Sequence, residues 1–93
     1  MIYKKIIIKK MNKNVKNNKV IVYSTPTCPY CVYAKEYFDQ NGVGYEDVDV
    51  TKDRAKAKEM ITKSGQRGVP VIDINGNIVV GFQPEEFEPL LNK

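Results

Sequence analysis

Between Val20 and Phe38 the hydrophobic pattern changes from a continuous run to a helical repeat, so a strand must hand over to a helix within a few residues. Val20-Ile21-Val22-Tyr23 is apolar without interruption, which suits a strand covered on both faces. Ser24-Thr25-Pro26-Thr27 is turn-like. Pro29 then opens the helix, because its missing N–H falls where a first turn leaves its donors unpaired. Cys28 becomes the N-cap. Cys31, Ala34 and Phe38 recur at i, i+3 and i+7 on one face, with Tyr30 and Tyr37 beside it. Asn41-Gly42 ends the helix, since glycine takes the left-handed position freely. The chain's only two cysteines therefore stand at the junction, one as the cap and one a turn inside.

The remaining pattern is short elements separated by strong turn signals. Tyr45, Asp47 and Asp49 alternate with Glu46, Val48 and Val50, a half-exposed strand. Thr51 is placed to cap a second helix, with Asp53 in its first turn where the dipole favours an acid. Ala57, Met60, Ile61 and Ser64 form its inner stripe, and Gly65 stops it. Lys52, Arg54, Lys56, Lys58 and Lys63 read as its solvated face rather than a binding patch. Two strands, Val69 to Ile74 and Asn77 to Phe82, are joined by Asn75-Gly76, a pair suited to the positive φ of a type I′ hairpin turn. Pro84 to Leu91 carries Phe87, Leu90 and Leu91 at helical spacing, with Pro89 inside, so this helix is expected to be short or kinked. The order is βαβαββα. It predicts an α/β fold with a four-stranded mixed sheet flanked by three helices, in which a βαβ unit is followed by an antiparallel hairpin.

Ninety-three residues allow one small domain, and 42% hydrophobic with 28% charged residues is the balance of a soluble globular chain. Charge is divided unevenly. Residues 1–19 hold seven lysines and no acid, whereas residues 20–93 hold eight Lys and Arg against eleven Asp and Glu. The net +4 therefore says little about what the folded part binds. Residues 1–18 are expected to be a basic, disordered leader preceding a domain over 19–93. Met11 leaves room for a later start, Tyr3 to Ile8 for an extra strand, and the lysines for an electrostatic tether. Ile6-Ile7-Ile8 is far shorter than the ~7–15 residues of a signal-peptide core, and no apolar run approaches the ~20 residues of a membrane span. Cytoplasm, a monomer, and neither nucleic-acid nor membrane binding are the expectations.

Cys28-Pro29-Tyr30-Cys31 is a Cys-x-x-Cys motif, read first as a redox dithiol. A free cysteine with pKa ~8.5 is mostly protonated at neutral pH, but exchange needs the thiolate. At an N-cap the sulfur meets the unpaired amides of Tyr30 and Cys31 and the positive end of the helix dipole. Both favour the charged form of Cys28, which is the expected nucleophile. Cys31, deeper in the helix, resolves the mixed disulfide. A structural staple closing so small a loop contributes only about 2 kcal/mol. A zinc site has two of four ligands and no histidine to complete it. Two inert buried cysteines fit poorly with Pro29 and the junction. The Val69-Pro70 bond, judged by the general preference of X-Pro, is expected to be trans.

With these residues in view, positions 19–91 resemble a glutaredoxin, within the thioredoxin fold. Cys28-Pro29-Tyr30-Cys31 matches the family's dithiol motif, and Gly68-Val69-Pro70 stands where the family has Thr-Val-Pro. The resemblance implies a thiol–disulfide oxidoreductase with no bound cofactor and a cis bond at Pro70 beside the dithiol. It implies a substrate backbone pairing with Val69 and a substrate carboxylate met from Gln66 or Arg67, with Pro29, Tyr30, Gly81 and Phe82 completing the groove. Glutathione is the implied reductant or co-substrate, and disulfide-containing proteins are the implied partners. Glutathione-using members carry Gly-Gly followed by Asp residues after the last strand, whereas this chain has Val80-Gly81-Phe82-Gln83-Pro84. The basic residue often found before the dithiol is also missing. Gly81-Phe82-Gln83-Pro84 is similar to the Gly-Phe-Arg-Pro of redoxins that are recharged by thioredoxin reductase and serve ribonucleotide reductase. A different class of function, cluster binding by the same cysteines in a dimer, stands as the alternative.

Overall fold

A computed structural model describes residues 18–91. The expected strand at Tyr3 to Ile8 and nearly all of the expected leader lie outside them. The elements follow in the predicted order: β1 (Val20–Ser24), α1 (Pro29–Gln40), β2 (Glu46–Asp49), α2 (Arg54–Ser64), β3 (Val71–Ile74), β4 (Asn77–Val80) and α3 (Pro84–Leu90). The sheet runs β2-β1-β3-β4. β1 pairs parallel with β2 and antiparallel with β3, and β4 pairs antiparallel with β3. This is the four-stranded mixed sheet expected from the pattern, in the thioredoxin-like arrangement that the resemblance implies. Among the described residues no helix is long and apolar enough to cross a membrane.

The central strands are continuously apolar because they feed two cores. Val20 and Val22 of β1, Ile72 and Ile74 of β3 and Val79 of β4 pack with Ala34, Phe38, Phe87 and Leu91 beneath α1 and α3. Ile21, Tyr23, Val71 and Ile78 point the other way and meet Met60 and Ile61 of α2. Successive side chains of a strand alternate between faces, so a strand covered on both sides has no polar half. The ring of Phe38 stacks on Phe87 at 5.3 Å between centroids, with Tyr37 and Tyr45 beside them. Tyr37 also donates from its hydroxyl to Glu88 at 3.1 Å, joining α1 to α3.

The hairpin turn has positive φ at both Asn75 and Gly76, 53° and 91°, as its sequence predicts. Asn75 does more than turn the chain. It accepts from the Lys19 amide, donates its own amide to Lys19 O, and donates from its side chain to Leu90 O. The turn thereby ties the start of β1 to the end of α3.

Four sequence expectations need correction. Thr51 does not cap α2. Asp53 does, accepting from the Lys56 amide at 3.1 Å, while Thr51 donates its amide to Asp49 in the preceding turn. The longer route from β2 moves the helix start two residues on. The last strand pair is shorter at both outer ends than expected. β3 starts at Val71, because Pro70 has no N–H to donate, and β4 ends at Val80, before Gly81 turns at φ 91°. Lys63 is not simply solvated: it donates to Asp73 and to the Tyr23 hydroxyl, both at 2.8 Å. Last, the Val69–Pro70 bond is cis, as the glutaredoxin resemblance implies and against the general X-Pro preference.

Candidate active site

The register brings the candidate residues to one end of the sheet. Tyr23 near the end of β1 lies opposite Val71 at the start of β3, and Val71 lies opposite Val80 at the end of β4. The chain leaving β1 toward Cys28, the chain entering β3 through Val69 and Pro70, and Gly81 after β4 therefore share an edge. The Gly81 amide donates to Pro70 O at 2.9 Å, extending the β3–β4 ladder by one bond and fixing the Pro70 segment.

At the head of α1 the two cysteines are unequal. Cys28 is the N-cap, with extended backbone at φ −98°, and is partly exposed. Its Sγ accepts from the Cys31 amide at 3.1 Å, so of the two predicted donors, Tyr30 and Cys31, Cys31 makes the bond. Cys31 is 0% exposed, held against the sheet on the same face as Ala34 and Phe38. The two sulfurs are joined as a disulfide. Among the described residues no group of three or more His, Cys, Asp or Glu side chains is placed to hold a metal.

Aromatic rings extend outward from the dithiol. Tyr30 is 59% exposed and sits edge-on to Tyr33, itself 48% exposed, at 5.7 Å. Tyr33 contacts Phe82 at 6.0 Å, and Phe82 in turn meets the buried Phe87. The sequence reading named Tyr30 and Phe82 but missed Tyr33. The signal was present, since Tyr30 and Tyr33 are three apart on a helix, yet their link to Phe82 needs the sheet between them.

On the entry to β3, Gln66 and Arg67 differ sharply. The Gln66 side chain folds back on its own loop, accepting from the Gly68 amide at 2.6 Å and donating to Gly68 O at 3.1 Å. The Arg67 side chain is exposed and makes no hydrogen bond or ion pair with the described residues. On β2, Asp47 accepts from Ser24 and from Lys35, each at 2.9 Å, so the Lys35 cation is already engaged.

The glutaredoxin family model matches residues 20–79, spanning both cysteines and the Val69-Pro70 segment. The chain belongs to the glutaredoxin family. Members of that family are thiol–disulfide oxidoreductases, and this chain is a glutaredoxin-like redox protein with a Cys-x-x-Cys disulfide. An uncharacterised glutaredoxin-like 8.6 kDa protein from the rubredoxin operon of Clostridium pasteurianum is 47% identical over 72 residues, covering 77% of this chain and 96% of the relative. Glutaredoxin 3 of Escherichia coli is 37% identical over 62 residues, covering 67% and 75%. Among solved structures, a thioredoxin-like protein is 39% identical with a TM-score of 0.73, covering 77% of this chain and 99% of its own. A buckwheat glutaredoxin–glutathione complex follows at 28% identity and TM-score 0.66, covering 83% and 79%. The Escherichia coli NrdH-redoxin shares the fold at 23% identity and TM-score 0.70, covering 81% and 97%.

Gly81 takes φ 91°, Phe82 turns its ring toward Tyr33, and the Gln83 side chain donates to Val80 O at 2.7 Å. Pro84 then starts α3 at its first position.

Proposed function

We propose that the protein reduces disulfides of proteins or glutathione mixed disulfides, with Cys28 as the attacking and Cys31 as the resolving thiol. The observation that carries this reading is the asymmetry of the pair. The outer sulfur receives an amide N–H at the start of a helix, and the inner one is fully buried. In the reduced protein the Cys28 thiolate attacks one substrate sulfur, forming a mixed disulfide and expelling the other half of the substrate as a thiolate. Cys31 then gives up its proton and attacks Cys28, closing the intramolecular disulfide and releasing the second half. Two electrons leave the protein, and both released sulfurs end as thiols. Cys28→Ser should abolish disulfide reduction, and Cys31→Ser should accumulate mixed disulfides visible by intact mass. The reverse pattern sinks the role assignment.

For the substrate groove we propose Val69 as the backbone partner of an added strand, next to Pro70, with Pro29, Tyr30, Gly81 and Phe82 as its walls. Thioredoxin reductase is the proposed better electron donor, with glutathione the weaker one. What supports this is the replacement of the family's Gly-Gly and Asp positions by Gly81-Phe82-Gln83-Pro84, where an aromatic ring and a self-bonded amide occupy the surface. A ribonucleotide-reductase-type redoxin is the role this segment favours. NADPH consumption measured side by side, with glutathione plus its reductase and with thioredoxin reductase, tests the assignment. Equal rates in the two systems count against it.

A further inference from the structure

Gly68 stands where the family resemblance leads one to expect threonine, and its backbone does not explain it. The left-handed φ that favours glycine occurs at Gly42, Gly65, Gly76 and Gly81, but not at Gly68. What a side chain at 68 would meet is Gln66: an added Cβ falls 2.8 Å from the Gln66 Oε1 atom. That atom is engaged, because it accepts the Gly68 amide at 2.6 Å, and the same amide group donates from Nε2 to Gly68 O at 3.1 Å. Gln66 is held further by Ser64. The Ser64 hydroxyl donates to Gln66 O at 2.9 Å and accepts from the Gln66 amide at 3.3 Å, while also reaching Met60 O at 2.8 Å in the last turn of α2. Both ends of the Gln66 carboxamide are therefore spent on the chain two residues ahead.

We infer that Gln66 is a positioning residue and not a substrate ligand: its carboxamide braces residues 66–68, so that α2 hands a fixed backbone to Val69, and Gly68 is the residue that leaves room for the brace. Arg67, exposed and without a partner among the described residues, is then the group on this loop that meets a substrate carboxylate. The inference deepens the groove proposed above and rests on it for the role of Arg67. It also gives a reason for the weak use of glutathione proposed above, because a carboxylate met by one side chain is held less firmly than one met by two.

Two measurements test it. The first needs no activity. Hydrogen exchange of the Gly68 amide should be slowed in the wild-type protein and should speed up about tenfold in Gln66→Ala, the scale of one lost hydrogen bond, with the β3 amides unchanged. Equal exchange in the two proteins overturns the brace. The second uses pre-reduced protein and two substrates, oxidised glutathione and its form with both glycine carboxylates amidated. Gln66→Ala should slow reduction of both by the same factor, whereas Arg67→Ala should slow only the acid. A loss selective for the acid in Gln66→Ala makes Gln66 a ligand and overturns the inference. Gly68→Thr should push the Gln66 side chain aside and match Gln66→Ala in both substrates, and the double variant should be no slower than either single one. Additive losses refute the coupling. A wild-type protein that reduces neither these two substrates nor a protein disulfide such as that of insulin sinks the functional reading above, and the exchange measurement still decides this one.

Discussion

Asp73 is 9% exposed within β3, and a carboxylate there is tolerable because Lys63 lies 2.8 Å away and the Gly76 amide bonds the other oxygen. Lys63 also bonds the Tyr23 hydroxyl, which in turn donates to Glu59. Burial disfavours the lysine charge, but the bonds to Asp73 and Tyr23 more than offset it and hold its pKa above the usual lysine range. Lys63→Met keeps the aliphatic stem and removes the ammonium, stranding Asp73. About 1–3 kcal/mol should be lost, read from the urea unfolding midpoint. Because the folded pKa lies above the ordinary 10.5, this contribution is complete below that value and is lost only as pH rises through the higher folded one. Glu59 behaves oppositely. The Tyr23 bond draws its pKa below the ordinary 4.5, so its contribution is present above that value and is lost as pH falls through the lower folded one. The stability gap between wild type and Lys63→Met should therefore be flat from about pH 6 to pH 10, in the sense of this linkage. A gap that closes within that window contradicts the network.

At the scale of elements, the ends of the helices carry most of the local specificity. α2 starts where Asp53 accepts the Lys56 amide and stops at Gly65, whose φ of 75° lets its amide reach Ile61 O. Asp53→Ala should cost about 1 kcal/mol by thermal or denaturant unfolding, the usual worth of an N-cap. Thr51→Ala should cost distinctly less, because Asp49 retains the residue 51 amide. Equal losses would return the cap to Thr51. α3 is a seven-residue helix with Pro84 at its start, Glu85 and Glu86 in its first turn and Pro89 inside. Its brevity follows from Pro89, which cannot donate to the carbonyl four residues back. So short a helix is held by Phe87 and by the Tyr37–Glu88 bond rather than by its own hydrogen bonds.

At the scale of the whole molecule, two thin cores share one sheet, and the larger one is closed by α3. Phe87 is fully buried and touches Phe38, Tyr37 and Phe82. Phe87→Ala should cost about 3–5 kcal/mol, a large part of the ~5–15 kcal/mol that stabilises a small domain. The same variant should slow disulfide reduction, since Phe82, a wall of the proposed groove, loses the ring it rests on. A melting temperature unchanged by this substitution would mean that α3 is dispensable to the fold.

The sequence by itself determined the order of elements, the hairpin at Asn75-Gly76, the cap at Cys28 and the unequal burial of the two cysteines. These are local matters: proline at a helix start, glycine and asparagine at positive φ, and a three- or two-residue hydrophobic period act within a few residues. It also carried the family, through the dithiol and Val69-Pro70. Only the tertiary structure decided which polar side chains were already spent. Lys63 reads as solvent-facing until Asp73, ten residues on, is brought beneath α2. Tyr33 reads as one more helix residue until Phe82 is folded against it. Hydrogen bonds and ring contacts of this kind depend on where separate segments lie in space, and a local pattern holds no record of that.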